Sequence, residues 1–239
     1  MTETRILPSA DRLAREVAAE LVARIATIQA EGRVPSVVLT GGTIANEIYR
    51  AVGSLPTADV SWMEVDFWWG VERYVPADSA DRNDRAAELD LLDLVAVDPA
   101  RVHAMPAADE AHPDVASAAA AYAEEVRAHA GDEFDLVLLG VGPDGHVASL
   151  FPGFPQLEVD DEDAVAVTGS PKPPPERVSL TFSRLNRTRE VWFLVTGEGK
   201  ADAVARALAE DGTVQETPAR GVTCPNSVWW LDEAAAGSL

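Results

Sequence analysis

Apolar runs of strand length alternate with segments of helical periodicity along the first two thirds of the chain, and nothing else restricts the fold as strongly. Leu13, Val17, Leu21, Ile25 and Ile28 recur at helical spacing between Ser9 and Gly32, which predicts an amphipathic helix. The short β-branched run PSVVLT follows, and Gly41 and Gly42 then turn the chain into TIANEIYRAV, a helix beginning near Thr43. The order repeats with a strand across VSWMEVDFWW, a helix across DRAAELDLLDLV, a strand at RVHAM, a helix across PDVASAAAAYAEEVRAHA and a strand at FDLVLLG. The expected fold is therefore α/β, a doubly wound, mostly parallel sheet with helices on both faces. After about residue 160 the strand candidates DAVAVT, RVSLTF, EVWFLVT and SVWWL lie close together, with one helix from Lys200 to Glu210, so this C-terminal part is expected to be mixed or antiparallel. No linker or repeat divides the chain, and one domain over residues 1–239 is expected.

Charge narrows the partners. Forty acidic and 19 basic side chains give a formal net charge of -21, which argues against nucleic acid and anionic membrane as partners. The opening MTETRILPSADRLAREV lacks a basic stretch followed by an apolar run, and nowhere do 18 apolar residues run together, so neither export nor membrane spanning is expected and the cytoplasm is the default. One cysteine, Cys224, leaves no intrachain disulfide and no Cys pair for structural zinc, and reads as a small buried hydrophobe. An anionic substrate would have to be held by a few local cations against this acidic background. Only two lysines occur, Lys172 and Lys200, and both fall in segments that look functional.

In doubly wound sheets the loops leaving the strands carry the ligand chemistry, and three such loops stand out. In LTGGTIANE, the glycines allow a sharp turn and the next helix offers free N–H groups to a phosphate, with the Thr43 hydroxyl as a further donor; a plain tight turn is the competing reading. In WWGVERYVPADSADRND, Arg73 could fork onto a phosphate or form a surface salt bridge with Glu72 or Asp78. In GVGPDGHVASLFPG, residues 140–145 spell G-x-G-x-x-G, the pattern of a dinucleotide loop. Two prolines within ten residues deny the helix that loop requires, so Pro143, Asp144 and Gly145 describe instead a tight turn presenting His146. His103 reads as a core or edge residue, His112 lies in a loop and His129 ends a helix; only His146 occupies a glycine-rich turn at a strand's carboxyl end, where an imidazole can take and return a proton. No G-x-S-x-G or H-E-x-x-H pattern occurs, so neither a serine nucleophile nor a zinc hydrolase is indicated.

LTGGT, WWGVERYVPADSADRN, DLVLLGVGPDGHVASLFPG, PKPPPERVSLTFSRLN and VTGEGKA together resemble the 6-phosphogluconolactonase family in order and spacing, over essentially the whole chain. The resemblance implies opening of 6-phosphoglucono-δ-lactone to 6-phosphogluconate without metal or organic cofactor, on a sheet shared with sugar-phosphate isomerases and deaminases. It implies that His146 activates water and returns the proton to the ring oxygen, and that Asp144 orients it or helps bind the sugar. Gly41, Gly42 and Thr43 would cradle the phosphate with Arg73 and Lys200 as its cations, and Lys172 would support the ligand from the PKPPP stretch. The partner is then a small phosphorylated lactone and the protein a monomer or small homo-oligomer. One departure stands out: the family usually reads Asp-Glu-Arg where this chain has Val71-Glu72-Arg73. Val71 weighs against the related deaminases, since an apolar side chain cannot move a proton. A non-catalytic sugar-phosphate-binding protein is the alternative from another class.

Overall fold

Ten strands form two separate sheets in the computed structural model, which describes residues 2–56 and 59–239. They are β1 (Thr2–Leu7), β2 (Ser36–Leu39), β3 (Asp66–Trp69), β4 (Val71–Arg73), β5 (Val102–His103), β6 (Leu136–Gly140), β7 (Ala164–Val167), β8 (Arg177–Leu180), β9 (Val191–Val195) and β10 (Ser227–Asp232). The helices are α1 (Ala10–Ala30), α2 (Thr43–Gly53), α3 (Asn83–Ala87), α4 (Val115–His129), α5 (Phe182–Leu185) and α6 (Ala201–Leu208). The main sheet has the order β1-β10-β9-β6-β2-β3-β5 and is parallel throughout. The closely spaced C-terminal candidates part company: β9 and β10 join the parallel sheet, whereas β7 and β8 pair antiparallel with β4 in a small second sheet.

The chain crosses the sheet in one direction through β2, β3 and β5, then reverses through β6, β9 and β10. Right-handed crossovers consequently place α1, α2 and α3 on one face and α4, α6 and the small sheet on the other. Packing agrees, since α1 rests on α2, α2 touches α3, and α4 lies against β7 and β8. The reversal makes β2 and β6 neighbours whose outgoing loops diverge, the place where a doubly wound sheet opens a ligand crevice.

Local chemistry explains the elements. Ser9 caps α1 by accepting the Arg12 N–H, and the stripe Leu13, Val17, Leu21, Ile25 and Ile28 is buried. Asp114 and Ser117 form a reciprocal capping box on α4. Two buried tyrosines finish strands at which the chain leaves for the crevice. Tyr49 Oη donates to Thr40 O at 2.7 Å and accepts from Thr40 N at 3.0 Å, while Tyr122 Oη does the same for Trp69, both at 3.0 Å. Each satisfies backbone groups that the diverging sheet leaves unpaired.

Three elements differ from the sequence expectation. The stretch VSWMEVDFWW extends only from Asp66, because Trp62–Glu64 forms a 3-10 turn that buries Trp62. The helix expected over DRAAELDLLDLV starts at Asn83 and widens into a π turn at Glu88–Leu92. β1 was not foreseen, because TETRIL is a half-exposed edge strand with little apolar patterning.

Candidate active site

A cleft of about 400 Å³ lies at the carboxyl ends of β2, β6 and β9 and is walled on one side by the small sheet. Gly41, Gly42, Thr43, Arg73, His146, Lys172 and Lys200, each singled out from the sequence, all line it. Asp144, the eighth, stands behind His146.

The segment after β6 doubles back on itself. Gly142 N donates to His146 O at 2.8 Å, Gly145 N donates to Gly142 O at 2.9 Å, and Val141 pairs with Val147. Gly145 takes a φ of 86°, in the left-handed region that suits glycine. The hairpin brings Asp144 Oδ1 to 2.5 Å from His146 Nδ1. An ionised carboxylate only accepts, so Nδ1 carries the proton of this contact, and in the neutral imidazole the lone pair is then on Nε2. Partial burial opposes the charge on Asp144, but the hydrogen bond and charge of His146 outweigh it and lower the Asp144 pKa to about 2. Phe151 packs against the imidazole at 4.5 Å between ring centroids. Outside the turn, Ala219 N donates to Gly145 O at 2.9 Å, fixing the hairpin against the rest of the fold. The left-handed Ala148, φ 49°, carries the chain out of the turn along the cleft wall.

The same cleft holds a group of cations. Gly42, with φ 110°, precedes the first turn of α2 with its unpaired N–H groups. Lys200 sits at the start of α6, held by Nζ donating to Val141 O at 2.8 Å; the loop before it is fixed by Asp232, which accepts from Gly197 N at 3.0 Å. Burial and the nearby Lys172 lower the Lys200 pKa. β4 and β8 set Arg73 directly opposite Arg177. Like charges so placed repel, and burial together with Arg73 lowers the Arg177 pKa. Arg177 is buried, and donates to the backbone carbonyls of Lys172 at 3.0 Å and Pro174 at 3.3 Å. Arg73 Nη1 donates to Asp81 O at 2.5 Å and Asn83 Oδ1 at 2.8 Å. The alternative salt bridge to Glu72 or Asp78 does not form. Most other arginines are ion-paired, whereas among the described residues Arg73, Arg177 and Lys200, like Arg184, Arg206 and Arg220, form no ion pair; Glu72 and Asp144 act on Arg177 and Lys200 only from a distance.

Glu72 points the other way. Its buried carboxylate accepts backbone N–H groups of Arg73, Asn83 and Asp84 at 2.7, 2.7 and 2.8 Å, tying β4 to the start of α3. Burial, with Asp84 near, pushes its pKa up to about 7. Val71 lines the cleft with 7% exposure and presents an apolar wall. Arg177 and Asn83 escaped the sequence reading. Their partners become evident only when β4 is recognised as a strand, and VER between Gly70 and Tyr74 is too short to announce itself.

A parallel α/β sheet with a His–Asp pair and a cation group in the crevice at its switch point defines a small-molecule enzyme of the doubly wound class. A family described as glucosamine-6-phosphate isomerases/6-phosphogluconolactonase matches residues 8–230. A 6-phosphogluconolactonase of Streptomyces coelicolor is 44% identical over 95% of this chain and 90% of its own length, and one of Mycobacterium tuberculosis is 41% identical over 98% and 97%. The solved 6-phosphogluconolactonase of Thermotoga maritima superposes with a TM-score of 0.84 at 27% identity, covering 97% of this chain and all of its own. The chain belongs to the glucosamine-6-phosphate isomerase/6-phosphogluconolactonase family, and its curated relatives set it among the lactonase enzymes of that family.

Proposed function

We propose that the chain hydrolyses 6-phospho-D-glucono-1,5-lactone to 6-phospho-D-gluconate, a step of the oxidative pentose phosphate pathway, with His146 as general base. The observation that carries this reading is the presence, in one cleft, of the His146–Asp144 pair and of three cations, Arg73, Arg177 and Lys200, that form no ion pair among the described residues. In this reading Gly41, Gly42, Thr43, Arg73, Lys200 and Arg177 receive the phosphate, with Lys172 over the opening, and the lactone carbonyl lies toward His146. Nε2 takes a proton from water as the hydroxyl adds to the carbonyl carbon. The tetrahedral adduct collapses with cleavage of the bond to the ring oxygen, which receives that proton from the imidazolium, and the acid then ionises. Asp144 orients the ring and stabilises the imidazolium without being protonated itself. Val71 offers no proton-transfer group beside the sugar, which supports lactone opening over isomerisation.

His146→Ala is expected to lower kcat on the phosphorylated lactone by about 10²- to 10⁴-fold, measured above the spontaneous opening rate. Full kcat in this variant would remove the general base. Arg73→Ala is expected chiefly to raise KM for the phosphorylated lactone while sparing an unphosphorylated one; equal losses on both would remove its phosphate role.

A further inference from the structure

We infer that Asn83 is a positioning residue that aims Arg73 at the anion while leaving its charge unquenched, an inference that rests on the phosphate role proposed for Arg73. The side chain is 7% exposed, and both ends of its amide are committed. Oδ1 accepts from Arg73 Nη1 at 2.8 Å, and Nδ2 donates to Val71 O at 2.9 Å. These partners allow one orientation only, since a flipped amide would set its NH₂ against the guanidinium and its oxygen against a carbonyl. Its backbone N–H is bound by Glu72, whose carboxylate also accepts from Arg73 N, so backbone and side chain of both residues are locked to one another.

Asn83 also reaches the phosphate loop. A Cβ added at Gly41 would lie 2.0 Å from Asn83 Oδ1, so the glycine is what allows the loop after β2 to close onto the amide. Asn83 thereby joins the start of α3, β4 and the β2–α2 loop at a single point. The choice of a neutral acceptor decides its function. On a chain with 40 acidic residues, Asp81 and Asp84 lie within two positions of Asn83 and Glu72 binds its backbone N–H, yet the side chain that touches the guanidinium is an uncharged amide. A carboxylate at that point would form a charge-assisted pair with Arg73 and compete with the substrate phosphate for it. A neutral amide orients the guanidinium equally well and adds no competing charge.

Asn83→Asp tests this with almost no change in shape. If Asn83 serves only to hold the fold, the loss of the Nδ2 bond to Val71 O lowers Tm and costs the phosphorylated and unphosphorylated lactones alike. If it preserves the charge of Arg73, KM for 6-phosphogluconolactone rises about tenfold or more with a much smaller change in kcat, the preference over unphosphorylated gluconolactone falls, and inorganic phosphate weakens as a competitive inhibitor. Asn83→Ser, whose shorter side chain withdraws the acceptor from Arg73 without adding charge, is expected to fall between Asn83→Asp and wild type, and carries the test should the aspartate variant not fold. Adding Asn83→Asp to Arg73→Ala is expected to cost little more than Arg73→Ala alone, because the effect passes through Arg73. A KM within twofold of wild type, or parallel losses on both lactones, overturns the inference. If Arg73→Ala itself leaves KM unchanged, the phosphate role of Arg73 fails instead, and the two failures are told apart by that one variant.

Discussion

At position 142 an added Cβ would lie 2.0 Å from His146 Nδ1 and 2.5 Å from Asp144 Oδ1, so the hairpin admits only glycine at the point where the two functional side chains meet. Gly142→Ala must push the imidazole off its carboxylate, and the proton on Nδ1 then loses its fixed acceptor. The expected result is a fall in kcat of about 10²-fold or more, with a smaller change in KM, because the atoms the Cβ meets belong to His146 and Asp144 and not to the cations. Steady-state kinetics with a thermal melt check this, and a kcat near wild type would mean that the His146–Asp144 contact is dispensable. The same pair fixes an electrostatic boundary. With its pKa at about 2 against an ordinary 3.8, Asp144 contributes stability that is fully present above about 3.8 and lost as pH falls through 2.

Among the elements, β5 shows how an edge strand two residues long is retained. His103 stacks on Trp68 with ring centroids 3.8 Å apart, Nδ1 lies 2.7 Å from Glu125 Oε1 on α4, and Nε2 faces Asp66 at the start of β3. Burial alone would lower the His103 pKa, but the hydrogen bonds and charges of Asp66 and Glu125 raise it. Asp66 is shifted down, its own burial outweighed by His103 and Arg101. The signs follow: the His103 contribution is complete below 6.5 and vanishes as pH rises through the elevated folded value, while that of Asp66 is complete above 3.8 and vanishes as pH falls through its lowered folded value. His103→Gln is therefore expected to lower Tm more at pH 5.5 than at pH 8.5; an equal loss at both would leave only the stacking. The sequence placed His103 in a strand at a core or edge position, and it marked the long helices, the β2 and β6 runs and three loops of the cleft from periodicity and glycine placement; the Lys172 and Lys200 segments were marked by the scarcity of lysine and by the family resemblance. It could not mark β4, because three residues show no period, and with β4 went the opposition of Arg73 to Arg177 and the bracing by Asn83. Nor could it separate β7 and β8 from the main sheet, since alternation reports which face of a strand is buried and not which strand it pairs with.

For the whole molecule, a net charge of -21 means that folding gathers like charges together. Screening of this repulsion acts over the whole surface, whereas each exposed ion pair contributes little and loses only part of that to salt. Tm is accordingly expected to rise between about 0.02 and 0.3 M sodium chloride, where the Debye length falls from about 20 to under 10 Å. A Tm that falls over this range would show that the surface ion pairs dominate. The order of the sheet also carries a consequence in time. β1 is the earliest strand in the chain, yet its one neighbour is β10, and Thr2 Oγ1 meets Ser227 Oγ at 3.1 Å across 225 residues of sequence. β2 and β3 can pair as soon as α2 links them, but β1 has no template until nearly every other strand has been made and seated. Of the ten strands β1 thus waits longest for its partner, and its docking closes the widest loop between paired strands, a closure whose entropy cost favours a late step.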